Sequence, residues 1–344
     1  MKDQIEFLDL MERAEHQRSA RRNFIRLCGG AAAMTGGLSL LAACNDDADE
    51  TPLPTPTPTP AAPIGDTDIL NFALQLEYLE GNYYSYATTG SAIPGTLQGG
   101  GGNQGPVVTG SGAGAARQVQ FTDQVVAQYA REIAADEIAH ITFLRQQLGT
   151  AALAQPTLNL SGSASVDING TATVGAFTAA ARAAGIDLSA TGGVFDPYAN
   201  DENFLIGSYL LTDVGVTAYR GSARLITNKV FLEAAAGILS TEAYHDGVIR
   251  SELWRRGLTT PSIYTRIQQI SDARDGLDGA TDTDQSIGNA TTANLVPTYD
   301  NNGFVPGRTA PQVLNVVYLN RAQTTQGGFY PSGVNGAIRQ SGAN

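Results

Sequence analysis

The chain has 344 residues, a formal net charge of −12, only 16% charged residues and 39 glycines. Beyond residue 44, 15 basic residues face 28 acidic ones, which argues against nucleic acid or an anionic lipid surface as a partner. The length suffices for a substantial core, and the Gly, Ser, Thr and Asn content predicts long loops around it.

Residues 1–44 resemble an export signal. Arg21 and Arg22 precede a mild, Gly- and Ala-rich apolar run from Leu27 to Ala43, the pattern of a twin-arginine signal. Leu41-Ala42-Ala43-Cys44 closes that run and resembles a lipobox, with Cys44 as the lipid-attachment residue and membrane anchor. The run is short and glycine-rich for a spanning helix, which needs about 20 apolar residues. Cys28 and Cys44 are the two cysteines, so no disulfide is expected in the mature fold. Residues 45–65 form a tether, in which alternating Thr and Pro from Thr51 to Pro60 enforce an extended spacer. The expected location is the periplasm or cell envelope.

Residues 66–257 carry four helical patterns, spanning about Asp66–Ala87, Thr122–Leu148, Asp201–Ile226 and Val230–Arg256. Asp66 or Thr67 is placed to cap the first. The stretch from Thr88 to Ala116 has no core-forming pattern and is expected to be a surface loop. About fifty residues separate the second and third helices, with one short helix expected at Val174–Ala184. The third and fourth helices are joined by a few residues and should be antiparallel neighbours. These loop lengths predict an all-α bundle with a single long crossover between helices two and three. Residues 258–344 should add helices at Pro261–Leu277 and near Pro311–Leu319, in a helical and irregular extension packed across the bundle.

Of the three histidines, His140 and His245 both close a Glu-x-x-His: Glu137-Ile138-Ala139-His140 and Glu242-Ala243-Tyr244-His245. Positions i and i+3 share a helix face, so each motif points a carboxylate and an imidazole at one spot. Two such helices, with carboxylates from two more, build the inward di-metal site of carboxylate bundles. In the fourth helix Glu242 and His245 lie on the stripe of Ala235, Ile238, Ile249 and Leu253. A charge on such a stripe is expensive unless paired or coordinating a cation. Glu77, sharing a face with Ala73 and Tyr84, is the candidate from the first helix; Glu80, one turn on, is either an assistant or a solvated neighbour. The competing reading is a core in which these groups merely hydrogen-bond. Tyr84, Tyr129, Tyr209, Tyr219 and Tyr244 are candidates to orient carboxylates or exchange electrons, or simply to pack.

Four motifs carry a resemblance: Leu70-Asn71-Phe72-Ala73-Leu74-Gln75-Leu76-Glu77-Tyr78-Leu79-Glu80, Asp136 to His140, Asp213-Val214-Gly215-Val216-Thr217-Ala218-Tyr219, and Thr241 to His245. With Ile270 to Asp275 and Gly327 to Pro331, they make the segment from Asp66 to about Asn335 similar to the ferritin-like domain family of exported bacterial and plant desiccation-related proteins. The resemblance implies a ferritin-like four-helix bundle holding one or two Fe or Mn ions. Glu137 and Glu242 would bridge, His140 and His245 would cap, and Glu77 would terminate one ion. The activity it implies is oxidation of metal or consumption of peroxide or O₂. The alternative is a non-enzymatic envelope or stress-associated protein with a degenerate site. One departure is plain: the family pattern places a Glu where this chain has Thr212, and Asp213 lies about 100° round the helix. The second ion is therefore expected to lack a terminal carboxylate and to bind more weakly.

Overall fold

A computed structural model describes residues 63–298 and 302–344. The signal, Cys44 and the Thr-Pro tether lie outside the described residues. Four long helices, α1 (Asp66–Thr89), α2 (Gln124–Leu148), α4 (Asp201–Ala223) and α5 (Lys229–Gly257), form the bundle; α3 (Ala176–Ala183) lies in the crossover, and α6 (Ser262–Asp278) and α7 (Ala310–Val317) follow. The fold is the helical bundle that the apolar periods imply.

The start of each long helix has a local cause. The side chains of Asp123, Asn200 and Asn228 accept hydrogen bonds from the backbone N–H of Val125, Asn203 and Val230, each at 2.9 Å. For α1, where Asp66 or Thr67 is the expected cap, Asp68 Oδ2 accepts from the N–H of Gly65 at 3.0 Å, and Asp66 does something else. Its carboxylate accepts from the N–H groups of Thr227 and Asn228 at 2.9 and 2.7 Å, holding the α4–α5 turn against the start of α1. Asp201, almost fully buried, likewise accepts from the N–H of Thr122 and of Asp123.

These ties set the directions. Tyr83, Tyr84 and Glu77 meet Phe204, Thr212 and Tyr219, so α1 and α4 run antiparallel. Asp201 sits at the start of α2, whereas α2 ends at Leu148. A 25-residue helix is about 37 Å long, so the chain must travel the bundle before α4 can begin. That distance is why the crossover is long.

The glycine-rich stretch after α1 is not the plain surface loop expected from its composition. Ile93 and Val119 are buried, and β1 (Val107–Val108) pairs in parallel with β2 (Leu158–Asn159) of the crossover. Gly114 adopts φ 81°, and a Cβ there would fall 2.3 Å from the carbonyl carbon of Gly162. Here glycine permits backbone to lie on backbone, which hydropathy periods cannot register. A hairpin of β3 (Val166–Ile168) and β4 (Thr171–Thr173) also went unanticipated. Its turn is Asn169-Gly170, both at positive φ, the strongest short hairpin signal.

These segments and the C-terminal extension enclose α1 on its outer side. Asn71 and Asn82 are buried and bond Ala151 O and Gln155 Oε1 at 3.0 and 2.8 Å. Asn335 N–H donates to Gln75 Oε1 at 3.1 Å, and the Tyr330 hydroxyl donates to Gln75 O at 2.8 Å.

Three buried guanidinium groups pin the extension to α4. Asp213 receives Arg250 Nη1 at 3.0 Å and Arg274 Nη2 at 2.8 Å. Arg274 and Arg308 share Asp284, and Arg308 Nε meets Asp278 at 2.6 Å. Burial alone would raise the Asp213 pKa, but Arg274 and Arg250 beside it hold it below the ordinary value. Asp213 thus points away from the bundle interior, as its helical angle predicts. Removing one partner from such a pair strands the other in low dielectric. Arg274→Met is therefore expected to lower unfolding free energy by about 3–5 kcal/mol, measured by urea denaturation. A loss below ~1 kcal/mol, the level of an exposed pair, would show that the carboxylates find other partners.

Candidate metal centre

Inside the bundle, α1, α2 and α5 bring Glu77, Glu137, His140, Glu242 and His245 together. All five are buried, Glu137 completely. One ligand atom from each of Glu77, Glu137, His140 and Glu242 lies within 4.8 Å of the others. His140 Nδ1 stands 3.3 Å from Glu77 Oε2, 3.4 Å from Glu242 Oε1 and 3.8 Å from Glu137 Oε2. His245 Nδ1 stands 3.4 Å from the other Glu137 oxygen, Oε1. The two imidazole centroids are 6.3 Å apart. Glu137 thus turns one oxygen toward each histidine.

The inward polar atoms of this centre face one another and form no hydrogen bond. Glu77 Oε2, both oxygens of Glu137 and of Glu242, His140 Nδ1 and His245 Nδ1 are buried and make no hydrogen bond. Seven such atoms converging in an apolar interior would be costly in any protein. Carboxylate oxygens with two imidazole nitrogens form a donor set suited to first-row divalent ions such as Fe or Mn. The residues fit a metal.

The ionisation equilibria have the same cause. Burial and the Glu77 carboxylate push Glu137 up to about 8, and burial and Glu137 push Glu242 up to about 8. Glu80 is raised by burial and by Glu242, Glu137 and Glu77 in turn. Burial would raise Glu77 and lower His140; their mutual attraction overrules both effects, lowering Glu77 and raising His140. Negative charge is in excess here, and protons or cations must balance it.

Groups around the centre orient it. The Tyr219 hydroxyl donates to Glu77 Oε1. His245 Nε2 pairs with Asp136 Oδ2 at 3.1 Å, which assigns the ring proton to Nε2 and leaves the Nδ1 lone pair facing Glu137. Tyr84 meets Thr212 Oγ1 at 2.8 Å. Of the other tyrosines considered, Tyr209 lies beneath the guanidinium of Arg274 at 4.5 Å, Tyr129 is half-buried and Tyr244 is 78% exposed. Those three pack elsewhere or face water.

Asp136 escaped the sequence reading, which leaves Glu80 open between an assistant and a solvated neighbour. Asp136 adjoins Glu137, but its reach to His245 depends on how α2 faces α5. Glu80 is not solvated; it is buried, with its Oε2 accepting from Thr212 Oγ1 at 3.0 Å. Its i+3 spacing from Glu77 was the available signal.

Comparison with known proteins agrees with this architecture. The family model of the ferritin-like domain matches residues 65–254. Desiccation-related protein PCC13-62 of Craterostigma plantagineum is 28% identical over 220 residues, 60% of this chain and 62% of that protein. The chain thus spans about three fifths of that relative's length. Ferritin-like catalase Nec2 of Nesocodon mauritianus is 26% identical over 291 residues, 79% of this chain and 84% of that protein. No solved structure matches the chain significantly. With more than half of its length matched and the bundle built as described, this chain belongs to the ferritin-like domain family.

Proposed function

We propose that this protein is an exported ferritin-like oxidoreductase that holds Fe or Mn in its bundle and disproportionates hydrogen peroxide, 2 H₂O₂ → 2 H₂O + O₂. The observation that carries the metal reading is the buried cluster of Glu77, Glu137, His140 and Glu242, whose ligand atoms lie within 4.8 Å of one another and make no hydrogen bond, with His245 Nδ1 beside Glu137. The similarity to a ferritin-like catalase favours peroxide over other oxidants. Bound redox-active ions would supply reversible electron exchange, so that one peroxide is reduced to water and another oxidised to O₂.

The side chains have distinct tasks. Glu137 and Glu242 would bridge, and His140, His245 and Glu77 would each hold one end. The hydroxyl of Tyr219 fixes the rotamer of Glu77, and Asp136 fixes that of His245. Apolar neighbours such as Ile133, Ile141, Ile249 and Leu253, all buried, keep bulk water from the centre.

Export rests on Arg21-Arg22 and the apolar run ending at Cys44; the protein is delivered folded to the cell envelope and anchored by lipid on Cys44. Among the described residues no helix is long and apolar enough to cross a membrane. A second reading, a non-enzymatic stress-associated envelope protein, is favoured by similarity to the desiccation-related protein.

One preparation separates them. Protein purified from envelope membranes should contain Fe or Mn by elemental analysis, carry lipid on Cys44 by mass spectrometry, and evolve one O₂ per two peroxides. Metal without turnover would favour the second reading, metal-free protein would reject the centre, and unmodified Cys44 would reject the anchor.

A further inference from the structure

The centre divides into two unequal halves when its atoms are followed outward from Glu137. On the Oε2 side stand His140 Nδ1 and Glu77 Oε2, with Glu242 Oε1 beside them. On the Oε1 side stands His245 Nδ1, and the second Glu242 oxygen is also buried without a partner. This second half has an imidazole and two shared carboxylates but no terminal carboxylate. Helix α4 approaches Glu80 and Glu242 through Thr212 and Gly215, neither of which carries a carboxylate.

The remaining buried carboxylate beside Glu242 is Glu80. A Cβ on Gly215 would lie 2.8 Å from Glu80 Oε1 and 3.3 Å from Glu242 Oε2, so both oxygens lie over the same point of α4. The other Glu80 oxygen is held by the Thr212 hydroxyl at 3.0 Å, and the Tyr84 hydroxyl lies 2.8 Å from Thr212 Oγ1. Because Thr212 donates to Glu80, Tyr84 donates to Thr212, and the chain of hydroxyl groups has one direction. Among the described residues Glu80 has no ion pair with a cationic side chain, and Glu242, Glu137 and Glu77 are carboxylates acting on it.

We propose that Glu80 is the terminal carboxylate of a second divalent metal ion, held with Glu137, Glu242 and His245, and that Thr212 is its positioning residue. The inference rests on the metal reading above. Both halves then follow one plan. Helix α1 supplies both terminal carboxylates, Glu77 and Glu80, one turn apart. Helix α4 supplies no ligand, only a hydroxyl donor to each: Tyr219 to Glu77 and Thr212 to Glu80. The four carboxylates, fully ionised, match the charge of two divalent cations. A glutamate at position 212 is therefore unnecessary, and the weak second ion expected from Thr212 gives way to a complete one.

The test uses the mature protein, stripped of metal and titrated with Mn(II), with bound metal counted by elemental analysis. Wild type is expected to bind two ions per chain and Glu80→Gln one, the second weakened at least about 10-fold. Restoring a carboxylate from the facing helix, in Glu80→Gln/Thr212→Glu, should return the count to two. Metal-free Glu80→Gln should melt no lower than metal-free wild type, because Gln has the same shape and keeps an acceptor for Thr212. Gly215→Ala gives an independent check: its methyl would press on Glu80 Oε1 and Glu242 Oε2 and should also cost one ion. Two ions at unchanged affinity in both single variants would overturn the assignment of Glu80 while leaving the metal reading intact. So would failure of the double variant to regain the ion, loss of both ions in Glu80→Gln, or a single wild-type ion indifferent to Glu80→Gln. A wild type that binds nothing would overturn both.

Discussion

Glu137→Ala is expected to abolish binding of both ions, with affinity falling by more than about 100-fold, beyond the usual cost of losing a supporting group. Its side chain is completely buried, and its two oxygens face different histidines. No neighbour can replace it, because the nearest carboxylates already serve one side or the other. The same substitution should have the opposite effect without metal. Glu137 is held at a pKa of about 8 by burial and Glu77, so the metal-free fold is relieved of a group it accommodates poorly. Metal-free Glu137→Ala should thus melt at or above metal-free wild type, yet gain nothing when Mn(II) is added. Elemental analysis and paired melting curves distinguish this from general damage, which would lower both. Retention of two ions would show that Glu137 does not bridge.

The second large effect is a fall in the stability of the metal-free protein as pH rises from about 4.5 to 8. Glu137 and Glu242 titrate near 8 in the fold, against 4.5 for an ordinary glutamate. Within that window the folded state binds more protons than the unfolded chain, and stability therefore declines with pH. Glu80 and His140 are also raised and act in the same direction, His140 above its ordinary 6.5. Glu77 is lowered; its contribution is lost only on acidification below 4.5, outside the window. One pKa unit is worth about 1.4 kcal/mol, so one such group accounts for on the order of 4 kcal/mol. Neighbouring carboxylates do not titrate independently, and the expected net loss is about 4 kcal/mol, or roughly 10 °C in Tm. Divalent ions would take the place of those protons. Adding Mn(II) at pH 8 should restore the Tm and release protons, measurable by calorimetry in buffers of different ionisation enthalpy. Stability that stays flat or rises from pH 5 to 8 would contradict this account.

The chain is a case in which local chemistry announces a centre and long-range packing completes it. Glu137, His140, Glu242 and His245 were legible because i, i+3 spacing and an apolar stripe act within one helix, whatever the helix packs against. Glu77 followed from its shared face with Ala73 and Tyr84. Glu80 stayed undecided between assistant and solvated neighbour, because α1 is buried on nearly every side. Its outer polar residues Asn71, Gln75 and Asn82 are as enclosed as its inner ones, so periodicity cannot separate ligand from loop anchor. The arginine network was hidden for a different reason: Asp213, Arg250, Arg274 and Arg308 belong to four segments that meet only in the fold.

Apolar period, side-chain caps and connection length acted through neighbours along the chain; from them came the four rods, their long crossover and the two Glu-x-x-His faces. Tertiary structure decided which glutamate stands opposite Thr212, which carboxylates meet arginine and which glycines lie backbone to backbone. Those outcomes depend on distances of a few ångströms between residues far apart in sequence, and no local pattern encodes them.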